Sequence, residues 1–211
     1  MQAGTILAAA RRLLKDPAGV RWANADLLAW LSAGQRQVVN VRPDASAKRD
    51  TVTLVEGIEQ EIPADGFKLL SVLDNINDDG TRGRPITLTN RDELNMTRPG
   101  WNAETPALTI RHYLYDPDVP RTYEVWPPAE ENVTVRIAYA VMPPPLTQLT
   151  DELVVPDTYE GALVDYVCMR ANMEDTDDPK APQRATDHLT LFTQAIGAKT
   201  QADEAAKPKR K

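Results

Sequence analysis

Cysteine is almost absent from this chain of 211 residues: Cys168 stands alone, so no internal disulfide framework can form. Histidine is nearly as scarce. His112 and His188 are the only two, and neither has Asp, Glu or Cys partners at the spacing of a zinc site. No run of 18 apolar residues occurs, so no segment reads as a membrane-spanning helix. The first residues also lack signal-peptide anatomy, because Arg11, Arg12 and Lys15 follow the small apolar stretch instead of preceding it. A cytoplasmic or cytoplasmically assembled protein is expected. Glycine (10) is outnumbered by proline (17), which favours stiff loops over flexible ones. The one short pair of glycines near a basic residue, Gly80-Thr81-Arg82-Gly83, has neither the lysine nor the strand–helix context of a phosphate loop.

What remains is ordinary in amount and unusual in arrangement. The chain is 42% hydrophobic and 26% charged, enough for one large domain or two small ones with a real core. Its net charge of −7 is segregated into blocks. Residues 1–43 carry +4, residues 44–156 carry −9, residues 157–206 carry −6, and residues 207–211 carry +4. An acidic body does not attract nucleic acid. Blocks of opposite sign suit contacts with other protein surfaces or between copies of one chain.

Periodicity divides the chain in three. Ile6, Leu7, Ala10, Leu13 and Leu14 form one apolar stripe and predict a first helix over about Ala3 to Lys15, ended by the turn chemistry of Asp16-Pro17-Ala18-Gly19. Asn24 is the expected cap of a second helix with the stripe Leu27, Leu31, Val38 and Val41, flanked by Trp22 and Trp30 and closed by Pro43. From Thr51 the period becomes two. Val52 and Leu54, then Ile58 and Ile62, alternate around Glu56-Gly57 and predict a hairpin. Further strands are expected over Phe67 to Ile76, Ile86 to Leu88, Leu108 to Tyr115, Tyr123 to Trp126 and Val133 to Tyr139, with one short helical turn capped at Asn90-Arg91-Asp92-Glu93. Five to seven strands in this span imply a small antiparallel sandwich or barrel, and Pro143-Pro144-Pro145 stiffens its exit.

Helical spacing returns after Pro156. Asp157 and Glu160 pattern as a capping box, and Ala162, Leu163, Tyr166, Val167 and Met173 line one face. Asp177-Asp178-Pro179 restarts a last helix whose stripe is Ala185, Leu189, Phe192 and Ile196. Continued to Ala206, that helix is about 28 residues and about 42 Å long. Its far half has no apolar stripe and is expected to project. The reading is therefore α+β: a four-helix bundle formed by both chain ends, with an inserted antiparallel β module. The expected divisions are residues 1–45 (N-terminal helices), 46–146 (β domain), 147–206 (C-terminal helices) and 207–211 (a basic tail).

No stretch carries a catalytic pattern. His112 and His188 read as structural or solvent-facing, and Cys168 as a buried, inert thiol on the third helix. Asn75-Ile76-Asn77-Asp78-Asp79-Gly80 resembles the start of a calcium loop, but Ile86 stands where the bidentate glutamate belongs. It reads as an acidic loop tip, and Asp175, Asp177 and Asp178 read as a solvated turn. Asn95 and Asn132 head glycosylation triplets with nothing else to suggest secretion. No enzyme activity, cofactor or metal is expected. The interpretable charged run is Lys207-Pro208-Lys209-Arg210-Lys211, either a solubilising end or an arm that docks on an acidic partner; with no interleaved aromatics it makes a weaker nucleic-acid patch.

The order two helices, β insertion, two helices resembles the head-to-tail adaptor (connector) proteins of short-tailed bacteriophages. The residues that carry the likeness are Tyr113 to Asp116, Arg121 to Pro128, Pro156 to Tyr166 with Arg170-Ala171, and Gln183 to Phe192. The resemblance implies a non-enzymatic virion protein at the head–tail junction, assembled in the host cytoplasm. It also implies a ring, typically a dodecamer, between the portal and the tail tube or nozzle, through which DNA passes without sequence readout. By that likeness the partner-binding residues toward the portal are Lys199, Lys207, Lys209, Arg210 and Lys211, and the tail is expected to gain order in the assembly. A different class of function stands beside it: a tail-tip or receptor-facing module that recognises a bacterial surface glycan. That reading requires Trp101 or Trp126 to face solvent in a groove.

Overall fold

The computed structural model describes residues 1–206, with side chains through residue 198. Among these residues lie five α-helices, α1 (Ala3–Leu13), α2 (Asn24–Val41), α3 (Arg91–Thr97), α4 (Glu160–Glu174) and α5 (Ala181–Ala206). The strands are β1 (Ala47–Thr53), β2 (Gly57–Glu61), β3 (Gly66–Ile76), β4 (Arg82–Pro85), β5 (Thr87–Leu88), β6 (His112–Leu114), β7 (Thr122–Ala129) and β8 (Thr134–Val141). The protein is α+β. Its chain divides into two compact units, one of Met1–Ser46 with the chain from Pro143 onward, the other of Ala47–Met142.

In the helical unit α4 is the hub: α1, α2 and α5 each pack on it. Ala162, Leu163, Val164, Tyr166, Val167, Cys168, Met169 and Ala171 are all buried, so α4 is covered nearly all round. Met173, expected on the apolar face, is exposed because the helix ends at Glu174 and its last turn has left the packed region. α2 approaches closely at Gly34, where a Cβ would stand 2.9 Å from Cδ1 of Tyr166. The stripe of α2 ends at Val38 and Val39, both fully buried; Val41 is exposed, one helical step round from that face. Two polar side chains of α2 are buried for a reason. Ser32 Oγ accepts the N–H of Leu146, and Gln35 Oε1 accepts that of Val154, which fixes the irregular segment after Pro145 along the helix.

Local chemistry at the helix starts differs from the pattern in the sequence. Asn24 is the first residue of α2, after an Ala23 cap, and its Oδ1 accepts from Arg11 Nη2 at 2.7 Å instead of from its own helix. Asp157 opens a 3-10 turn, Asp157–Tyr159, and α4 begins one residue later without a side-chain cap. Asn90 does cap α3, accepting from Asp92 N at 3.0 Å. Asp178 Oδ1 accepts from Lys180 N in the turn before α5.

The β unit holds two four-stranded sheets, ordered β1-β8-β3-β4 and β2-β7-β6-β5. Every pair is antiparallel except β5–β6. One apolar cluster unites them: Leu69, Val72, Val135, Ile137 and Tyr139 from the first sheet meet Tyr113, Tyr123 and Val125 from the second. The hairpin expected at Glu56-Gly57 does not form. β1 pairs with β8 and β2 with β7, so the chain crosses between sheets there. Gly57 at φ +108° allows the turn, and Gln60 holds it by accepting from Val55 N (2.8 Å) and donating to Val55 O (2.7 Å). β3 buries every third residue, from Gly66 through Leu69 and Val72 to Asn75, because bulges shift its register against β8 three times.

Candidate functional site

The asparagine that opens the calcium-like stretch is a structural clasp. Asn75 Nδ2 donates to Arg84 O and Ile110 O, and its Oδ1 accepts from Ile110 N, all at 2.8 Å, so a buried amide is fully satisfied. Asp79 accepts from both N and Oγ1 of Thr81 in the turn joining β3 to β4, with Gly80 at φ +80°. Among the described residues no group of three or more His, Cys, Asp or Glu is placed to hold a metal ion.

The scarce reactive side chains are each held in packed or partnered positions. Cys168 is fully buried beside α1, and burial, with Asp165 nearby, pushes its thiol up to about 12. It stays protonated at neutral pH and is a poor nucleophile. His188 Nδ1 lies 2.8 Å from Asp165 Oδ1, joining α5 to α4. His112 stacks on Trp126 with ring centroids 5.5 Å apart and lies 2.7 Å from Thr87 Oγ1. Burial first, and then the positive charge of Arg84, lower its pKa from the ordinary imidazole value. Asp165 and His188 therefore pin two helices, while His112 belongs to a packed ring stack; neither has the nucleophile or water-directing geometry of a catalytic pair.

The two tryptophans that a glycan groove would expose are buried, Trp101 at 3% and Trp126 at 4% exposure. With Leu94 of α3 and Leu114 of β6 they form a second apolar cluster. Their indole N–H groups are used inside the unit, Trp101 donating to Asn95 Oδ1 and Trp126 to Glu104 Oε2. Arg98 lies over the Trp126 ring at 4.9 Å. These rings are structural anchors with no free face for a sugar.

Among the described residues, two surfaces offer features that suit a partner. One is α5. Ala181, Ala185, Phe192 and Ile196 are buried, and Phe192 packs on Tyr166 with centroids 5.1 Å apart. Leu189, expected in that stripe, is 46% exposed; His188 turns inward in its place to meet Asp165, since a partnered imidazole fits the polar position opposite α4. Leu191 is also half-exposed. Of the predicted portal-binding residues, Lys207, Lys209, Arg210, Lys211 and the side chain of Lys199 lie outside the described residues. The other surface is a cleft of about 830 Å³ on the β unit, beside α3 and the outer face of the second sheet. In the register, Glu59 stands directly opposite Glu124, and Glu124 directly opposite Leu114. Arg91 from α3 pairs with Glu124 at 2.5 Å. Sequence reading missed this cleft: each glutamate is only the polar position of an alternating strand, and their juxtaposition needs the β2–β7 register.

A family model for the SU10 adaptor protein matches residues 1–211. No curated protein matches the chain.

Proposed function

The chain belongs to the SU10 adaptor family, a phage adaptor family of structural virion proteins, and on that premise we propose that it forms a ring between the portal and the tail tube or nozzle. The observation that carries this reading is the match of one adaptor family along the whole length of the chain. The ring is proposed to be dodecameric, assembled in the host cytoplasm, with a central channel that DNA traverses without specific contacts. The charge distribution supports this: the −9 block over residues 44–156 and the −6 block over residues 157–206 would repel phosphates, and a channel built for transit gains from weak adhesion.

α5 and the basic end are the proposed portal-facing elements, with Lys199, Lys207, Lys209, Arg210 and Lys211 supplying positive charge. α5 is 26 residues, about 39 Å, and Ile196 is the last buried position among its residues with described side chains. In the sequence, residues 197–206 carry no large apolar side chain to form a stripe against α4, and a partner would supply their contacts. Repeating a weak contact around a ring raises the overall affinity without a strong single interface. A glycan-recognition module is not favoured, because both tryptophans it requires are buried.

Electron microscopy of the purified chain, with and without its portal, tests the reading. Portal rings should gain a second stacked ring, and deletion of residues 207–211 should weaken that stacking more at low salt than at high. A chain that never decorates the portal ring overturns the proposal.

A further inference from the structure

The acidic cleft on the β unit is a face that the portal-directed reading does not use. Two carboxylates directly opposite each other on neighbouring strands repel, at a Cβ separation of roughly 5 Å. Here the register forces Glu59 and Glu124 into that relation, and one guanidinium, Arg91, sits beside Glu124. Glu59 has no ion pair among the described residues and is exposed. Glu93 and Asp116 add two more exposed carboxylates to the wall, so the cleft holds four acids against a single arginine.

The rest of the lining is not that of a solvated acidic face. Leu88 and Val119 are about half exposed within it, and Leu114 lies beside Glu124 in the register. Tyr123, also on the wall, is 3% exposed, and its hydroxyl has no hydrogen-bond partner. A free cation would satisfy the carboxylates and leave the apolar wall wet. A side chain that combines a long apolar stem with a charged head satisfies both.

We propose that this cleft is a docking site for an extended basic segment of a partner protein, whose Lys or Arg stems lie on Leu88 and Val119 and whose charged ends meet Glu59, Glu93 and Asp116. Glu59 is the residue with most to gain, because its opposite neighbour already has Arg91. One face of an extended segment presents every second side chain, so a basic residue at every second position brings its stems and charged ends to the same wall.

Fluorescence anisotropy on the full-length chain tests this with three labelled peptides. The first alternates lysine and valine, the second alternates glutamate and valine, and the third copies residues 207–211. The lysine–valine peptide should bind, more weakly as salt rises, and the glutamate–valine peptide should not. Glu59→Gln, a change on an exposed strand position, should weaken binding about threefold, within the range of one exposed ion pair. Glu59→Gln with Glu93→Gln should weaken it further, while circular dichroism stays that of the parent. Equal binding of the two alternating peptides, or no loss in the double variant, overturns the proposal. Tighter binding of the 207–211 peptide than of the lysine–valine peptide also overturns it, by assigning the cleft to a neighbouring copy of this chain. Portal decoration in the same preparations is a separate readout, so the cleft and the adaptor ring can fail independently.

Discussion

Asp16, 7% exposed in the turn after α1, shows how one carboxylate organises a loop. It accepts from the backbone N–H groups of Val20, Arg21 and Trp22 at 2.8, 3.2 and 3.0 Å, and pairs with Arg11 at 3.0 Å. Arg11 in turn donates to Trp22 O and Asn24 Oδ1, so the start of α2 is tied to the end of α1. Burial by itself would raise the pKa of this carboxyl; the three N–H donors and Arg11 outweigh it and hold the pKa below the ordinary value. A group with a depressed folded pKa stabilises the fold at pH above its unfolded pKa of about 4, and that contribution fades as pH falls below it. Asp16→Ala should cost about 2 kcal/mol at pH 7, because it strands several backbone donors. Urea unfolding between pH 3 and 7 should show the gap between parent and variant narrowing on the acid side. A gap that is constant with pH would mean that the charge of Asp16 contributes nothing.

At the scale of elements, the contact between α2 and α4 depends on a missing side chain. Glycine inside a helix ordinarily costs about 0.5–1 kcal/mol relative to alanine, so an exposed Gly→Ala change stabilises. Gly34 reverses that expectation. An added Cβ would meet Tyr166 Cδ1 at 2.9 Å and Leu163 Cδ2 at 3.3 Å, both buried side chains of α4 itself. Gly34→Ala should therefore destabilise the helical unit by about 1–3 kcal/mol, the usual cost of overpacking. Chemical denaturation followed by far-ultraviolet circular dichroism measures it. A variant more stable than the parent would show that Tyr166 and Phe192 can shift together at little cost.

For the whole molecule, the β unit interrupts the sequence of the helical unit, and its own ends are neighbours. Ala47 at the start of β1 lies opposite Ala140 near the end of β8 in an antiparallel pair. A unit with adjacent ends and its own apolar cluster meets the requirements for folding alone. Residues 47–142 expressed by themselves should give a dispersed amide proton spectrum and one cooperative unfolding transition. A collapsed spectrum would show that the unit needs the rest of the chain to fold.

Much of the element order is legible in particular residues. The three-to-four spacing of Ile6, Leu7 and Ala10 marks α1, and Tyr123 to Trp126 and Val133 to Tyr139 mark the two central strands, because one-sided burial imposes its period on the sequence. The adaptor identity was legible too, since the resemblance and the family match fall on the same chain. Pairing was not. Glu56-Gly57 has the composition of a hairpin turn, yet the flanking strands belong to different sheets, since turn residues permit a reversal without choosing which edge the chain joins. Leu189 and His188 are neighbours on α5, and only the Asp165 carboxylate on α4 decides which one turns inward. The sequence by itself determined the alternation of helix and strand, the sign of each charged block and the family, because these depend on spacing and composition. Only the tertiary structure decided that Glu59 faces Glu124, that Trp101 and Trp126 are buried, and that Asn75 clasps three segments. Each of those is a contact between residues far apart in the chain, and local propensity carries no information about which distant partner will arrive.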